Sequence, residues 1–126
     1  MVHPTPRPVY LNLFQIRLPV GGVVSILHRV SGTLLVLALP FALWMFARSL
    51  ESAQRFAAVQ ELVRAVPARW VLCIVLLGLG HHLLAGIRHL LLDLHVGMSR
   101  GGARLGGWLV LMLDGVVAVA LGVSWL

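Results

Sequence analysis

Three stretches of this chain run for the length of a membrane crossing with almost no charge. Residues 30–47 contain no charged side chain, and extending the run back to residue 23 adds only His28 and Arg29. Residues 70–87 form a second such run, and residues 105–126 a third that is interrupted only by Asp114. A helix of about 20 apolar residues crosses the hydrocarbon core. It is also the open segment that satisfies its own backbone hydrogen bonds there. The expectation is an all-α, integral membrane protein: one membrane-anchor domain over 1–126, with an N-terminal arm (1–22) and three transmembrane helices in a bundle (about 23–47, 68–92 and 105–126). With 60% apolar and 11% charged residues, the chain carries less than half the charge of an ordinary soluble domain, about 25%. Trp44, Trp70, Trp108 and Trp125 all fall near an expected helix end, where aromatic belts sit.

The connections differ in character. Between the first two spans, Phe56, Val59, Leu62, Val63 and Val66 recur at helical spacing, which predicts a short helix on the membrane surface. Pro67 is expected to end it. The second connection, residues 95–104, is glycine-rich and reads as a tight loop. The opening segment contains Pro4, Pro6, Pro8 and Pro19 and lacks the pattern of a cleavable signal peptide.

All ten basic residues are arginine, and the formal net charge is +6. They are spread along the chain, mostly at the ends of apolar runs, which fits lipid headgroups and membrane topology rather than nucleic acid. Arg7, Arg17, Arg29, Arg88, Arg100 and Arg104 fall on one side of the expected bundle, and Arg48, Arg55, Arg64 and Arg69 on the other. This bias favours a cytoplasmic N-terminus. Cys73 is the one cysteine, so a disulfide framework or cysteine metal cluster is excluded.

Two polar stripes cut into the apolar runs. Ser25, His28, Arg29 and Gly32 are spaced i, i+3, i+4, i+7, and His82, Gly86, His89 and Asp93 are spaced i, i+4, i+7, i+11. Each set lies on one helix face. Because the first span begins on the side where the second ends, Ser25, His28 and Arg29 share a leaflet with His82, Arg88 and His89. An arginine inside a span needs a partner or a route to the headgroups. Arg29 is therefore either a snorkelling residue with His28 beside it or half of a site for an acidic or carbonyl-bearing ligand. A haem axial ligand requires a neutral imidazole, space beside it and cations near the edge of the ring. His82 beside Gly86 offers the first two, and Arg29, Arg88, His28 and His89 could offer the third. His81 and His82 point about 100° apart on a helix and cannot both bind one iron axially. A second axial histidine would then come from another chain.

Taken together, RPVYLNLFQIRLP, SILHRVSG and HHLLAGIRHLLLD, in this order and at this spacing, resemble the large cytochrome b membrane-anchor subunits of succinate dehydrogenase (complex II). The resemblance covers the arm, the first two spans and the three-helix plan. It implies a haem b held between two histidines, one from this chain and one from a second, small three-helix anchor subunit. The ligand to the haem iron here would be His82, with His81 at the preceding, non-ligating position. It implies iron–sulfur and flavoprotein partner subunits, no catalytic centre for succinate in this chain, ubiquinone as acceptor and a bacterial cytoplasmic (inner) membrane. By motif position, Ser25 and Arg29 would line the quinone site. His28 and Arg29 would approach the haem propionates, with His89 a further contact. Asp114 departs from the family pattern and is expected to hydrogen-bond to a neighbouring helix or to be protonated. Two other classes are considered: a proton-coupled transporter with Asp114 and the histidines as a relay, and an anchor that has lost its haem. A transporter would be expected to show repeated helical units, and none is visible.

Overall fold

The computed structural model describes residues 17–125 (for Trp125, the backbone alone). The arm segment 1–16, with Arg7 and the first three prolines, and Leu126 lie outside the described residues. The described chain is four helices: α1 (Val20–Ser49), α2 (Ala53–Arg64), α3 (Val66–Asp93) and α4 (Arg100–Trp125). Helices α1, α3 and α4 are the three long enough and apolar enough to cross a membrane. At 1.5 Å per residue they are about 45, 42 and 39 Å long, each exceeding a hydrocarbon core of about 30 Å. Each span is longer than its apolar run because the polar flanks are helical too. Pro40 lies inside α1 without ending it, as neighbouring helices allow in membrane bundles.

The ends of the helices follow local chemistry and correct three expectations. Val66 opens α3 rather than closing the surface helix, and Pro67 sits in the first turn of α3, where its missing N–H costs nothing. The surface helix α2 is instead started by Ser52, whose hydroxyl accepts from the Arg55 backbone N–H at 3.1 Å. The glycine-rich connection is shorter than 95–104. Ser99 Oγ accepts from the Gly102 N–H at 3.0 Å and its carbonyl from the Ala103 N–H at 2.8 Å, an N-cap that draws Arg100 and Arg104 into α4. Only residues 94–99 remain as connection, and the chain turns through His95 and Gly97 at positive φ, 63° and 78°.

α1, α3 and α4 pack against one another, while α2 lies against α1 and α3. α1 and α3 run antiparallel: Gly21 faces Arg88, Gly32 faces His82, and Gly78 faces Leu34. The shared apolar core is small, with Val24 from α1, Ala85 from α3 and Val110 from α4, one from each span. Most large hydrophobic side chains point outward, Val36, Leu37, Phe41, Leu90 and Val119 among them. In lipid such surfaces carry no penalty, and helices associate through close packing of small residues and interhelical hydrogen bonds. Gly107 shows the close packing: a Cβ there would stand 3.1 Å from Val20 Cγ1.

Candidate functional site

The antiparallel pairing of α1 and α3 brings together the residues that spacing alone could only place on separate helices. His28 of α1 stacks on His82 of α3, with ring centroids 4.1 Å apart and planes within 11°. His89, two turns further along α3, lies on the other neighbour, 5.1 Å from the His28 ring at 30°. Two glycines make this possible. A Cβ on Gly32 would stand 3.0 Å from His82 Cε1, and one on Gly86 would stand 3.5 Å from His28 Nε2. Each glycine is a seat for an imidazole of the facing helix. Gly32→Val is therefore expected to displace the His82 ring and to destabilise the bundle by about 1–3 kcal/mol, the range for overpacking. Thermal unfolding in detergent checks it, with Gly122→Val, which meets open space, as the control expected to be unchanged.

The hydrogen bonds distinguish His82 from its neighbour His81. Ser31 Oγ–H donates to the His28 carbonyl at 2.9 Å, which uses its one proton. His82 Nδ1 lies 3.2 Å from that carbonyl and 3.3 Å from Ser31 Oγ, so Nδ1 carries the hydrogen and donates. Nε2 of His82 is then left with its lone pair and, among the described residues, without a partner. An imidazole oriented by a carbonyl on one nitrogen and open on the other is the arrangement metal-binding histidines adopt. His89 is held similarly, with Nδ1–H donating to the Ala85 carbonyl of its own helix at 2.6 Å.

His81 is occupied at both ring nitrogens. Nδ1 lies 2.6 Å from Asp114 Oδ2 of α4, and Nε2 donates to the Val24 carbonyl of α1 at 3.4 Å. The carboxylate in the third span thus meets the neighbouring α3, and His81 is buried. Neither nitrogen of His81 is open to a metal.

The structure also divides the α1 stripe. His28 and Gly32 face α3, whereas Arg29 is exposed on the bundle surface. No described residue pairs with its guanidinium. Ser25 is half-buried one turn before Arg29. Arg88, a candidate cation for the same cluster, lies elsewhere. Its Nη2 donates to the Ala103 carbonyl at 3.1 Å, and its stem packs by Gly106. The reason is its place on the His81 side of α3, one face away from His82. Ser31 was missing from the sequence-derived set, because it lies one residue off the Ser25–Gly32 stripe. Its place beside Gly32, in a run otherwise free of hydroxyls until Thr33, was the available signal. A cavity of about 720 Å³ lined by Phe46, Phe56, Val59, Val63 and Arg64 lies at the opposite end of the bundle and holds none of these residues.

Three helices long and apolar enough to cross a membrane, with a cluster of imidazoles between two of them, define a membrane-embedded helical bundle with a polar site at one end. A profile of the succinate dehydrogenase/fumarate reductase transmembrane subunits matches residues 3–122, and the chain belongs to that family. It is similar to the succinate dehydrogenase cytochrome b556 subunit of Coxiella burnetii, 32% identical over 120 residues that cover 93% of this chain and 94% of that one. The corresponding subunit of Paracoccus denitrificans is 34% identical over 97 residues, covering 74% and 72%. That of Rickettsia bellii is 28% identical over 119 residues, covering 93% and 91%.

Proposed function

We propose that this chain is the cytochrome b membrane anchor of a succinate dehydrogenase, and that His82 would ligate the iron of a haem b shared with a second, smaller anchor subunit. The observation that carries this reading is the asymmetry of the tandem histidines. His82 has Nδ1 tied to the His28 carbonyl and Ser31 with Nε2 open, while His81 has both nitrogens engaged. Of the tandem pair only His82 keeps an open nitrogen, so this helix position would offer one imidazole to the iron and a second would come from the partner.

When bound, the haem supplies a one-electron carrier within the membrane. The residues of this chain hold and tune it. Ser31 and the His28 carbonyl fix the tautomer and ring angle of His82, which keeps the lone pair on Nε2. His28 and His89, in contact with each other, would offer ring N–H groups to the haem propionates, and Arg29 would add a permanent positive charge. For the acceptor, ubiquinone in this reading, Ser25 and Arg29 supply a hydroxyl and a guanidinium toward the quinone oxygens. Donors aimed there stabilise negative charge as electrons arrive. Arg29 lies nine residues into α1, about 14 Å from its start, close enough to the aqueous edge for protons to reach the ring. The chain would dock iron–sulfur and flavoprotein subunits on that side, with the N-terminus in the cytoplasm of a bacterial cell and the bundle in its inner membrane. A transporter relay is less well supported, because Asp114 is committed to His81 rather than to a polar path.

The test is purification of the intact complex through a tag on this chain. Flavoprotein, iron–sulfur and second anchor subunits should co-purify, and succinate should reduce a b-type haem in the preparation. Isolation of the chain without those subunits, or with them and without haem, overturns the corresponding part of the reading.

A further inference from the structure

Two adjacent histidines on one transmembrane helix pose a problem of choice. Their side chains point about 100° apart, so a rotation of α3 about its axis by that angle would bring one into the surroundings of the other. Apolar packing discriminates weakly between the two settings, since the core contributed by the three spans is one valine, one alanine and another valine. Asp114 discriminates strongly. Its carboxylate lies 2.6 Å from His81 Nδ1, one turn beyond Val110 on α4, and His81 lies one turn before Ala85 on α3. The Val24 carbonyl receives the other nitrogen of His81. The polar staple and the apolar core therefore join the same three helices along the same line, and His81 is the histidine that lies on it.

We propose that Asp114 assigns the roles of the tandem histidines: by engaging His81 it removes that imidazole from competition and fixes the rotation of α3 that turns His82 toward His28 and Ser31. Asp114 is in this sense a positioning residue, acting on His82 through His81. A buried polar pair that sets the register of packed helices is the best attested use of such groups. The inference rests on the ligand role proposed for His82.

The test uses the purified complex and reads the low-spin ferric haem signal by electron paramagnetic resonance together with the reduced visible spectrum. Asp114→Leu and Asp114→Ala are expected to split or shift the single ferric signal, because His81 then competes or the His82 ring tilts. The double variant His81→Phe/Asp114→Leu replaces the polar pair by an apolar one, removes the competitor, and is expected to restore a single signal. A structural pair with no selecting role predicts instead that the double variant is as disturbed as the single ones. A wild-type signal in both single variants, a disturbed signal in the double variant, or failure of the double variant to assemble overturns the proposal. If the single variants do not assemble and the double variant does, with one signal, the proposal stands. His82→Ala measured in parallel separates the two layers. An unchanged signal there removes His82 as ligand, whereas its loss together with wild-type single variants removes the role of Asp114 alone.

Discussion

His82→Ala is expected to abolish the b-type absorption of the complex, with more than about a tenfold loss of bound haem. Outer-shell groups around a ligand already affect metal affinity about 10–100-fold, and the ligand itself is worth no less. The adjacent imidazole is no substitute. His81 is occupied at both nitrogens by Asp114 and Val24, and His89 lies two turns away along α3, against the His28 ring. The helices should still assemble, because the substitution removes a half-buried ring beside Gly32 and leaves the core of Val24, Ala85 and Val110 intact. Reduced-minus-oxidised spectra, normalised to the flavin of the co-purified subunits, measure the outcome. Full haem content in the variant would place the ligand elsewhere.

Arg29→Leu is expected to raise the quinone KM by about 10- to 100-fold with assembly retained. A hydrogen bond from a charged donor contributes about 1.5–3 kcal/mol, and each 1.4 kcal/mol is tenfold in an equilibrium constant. Retained assembly follows from the surroundings of the Arg29 side chain, which is exposed and whose guanidinium hydrogen-bonds to no described residue, so its loss breaks no hydrogen bond within the bundle. Arg29→Lys keeps the charge but loses the planar fork and should fall between the two. Quinone kinetics with saturating succinate decide it, and a KM within about twofold of wild type in Arg29→Leu would take the guanidinium out of the quinone site. A haem spectrum recorded on the same preparation separates this role from one at the propionates.

The reach of the sequence is clearest in α1 and α3. Their existence, their antiparallel course and the meeting of His28, His82 and His89 at one end of the bundle follow from apolar runs and a fixed helical rise, quantities local to each segment. The boundaries were less legible. Ser99 extends α4 back to Arg100 through a side-chain cap, a local signal masked by the surrounding glycines. Pro67 could end one helix or begin the next, and only the backbone settles that it begins α3.

What tertiary structure alone decided is how each helix is rotated against its neighbours. Periodicity assigns residues to a face without saying what the face meets. Arg88, read as a neighbour of the histidine cluster, turned out to serve the Ala103 carbonyl on α4. Ser31, off the expected stripe, reaches His82, and Asp114 finds His81 across 33 residues of chain. Interhelical hydrogen bonds and glycine seats fix the rotation of each helix, and both depend on groups of two helices meeting, which the spacing within one helix does not encode.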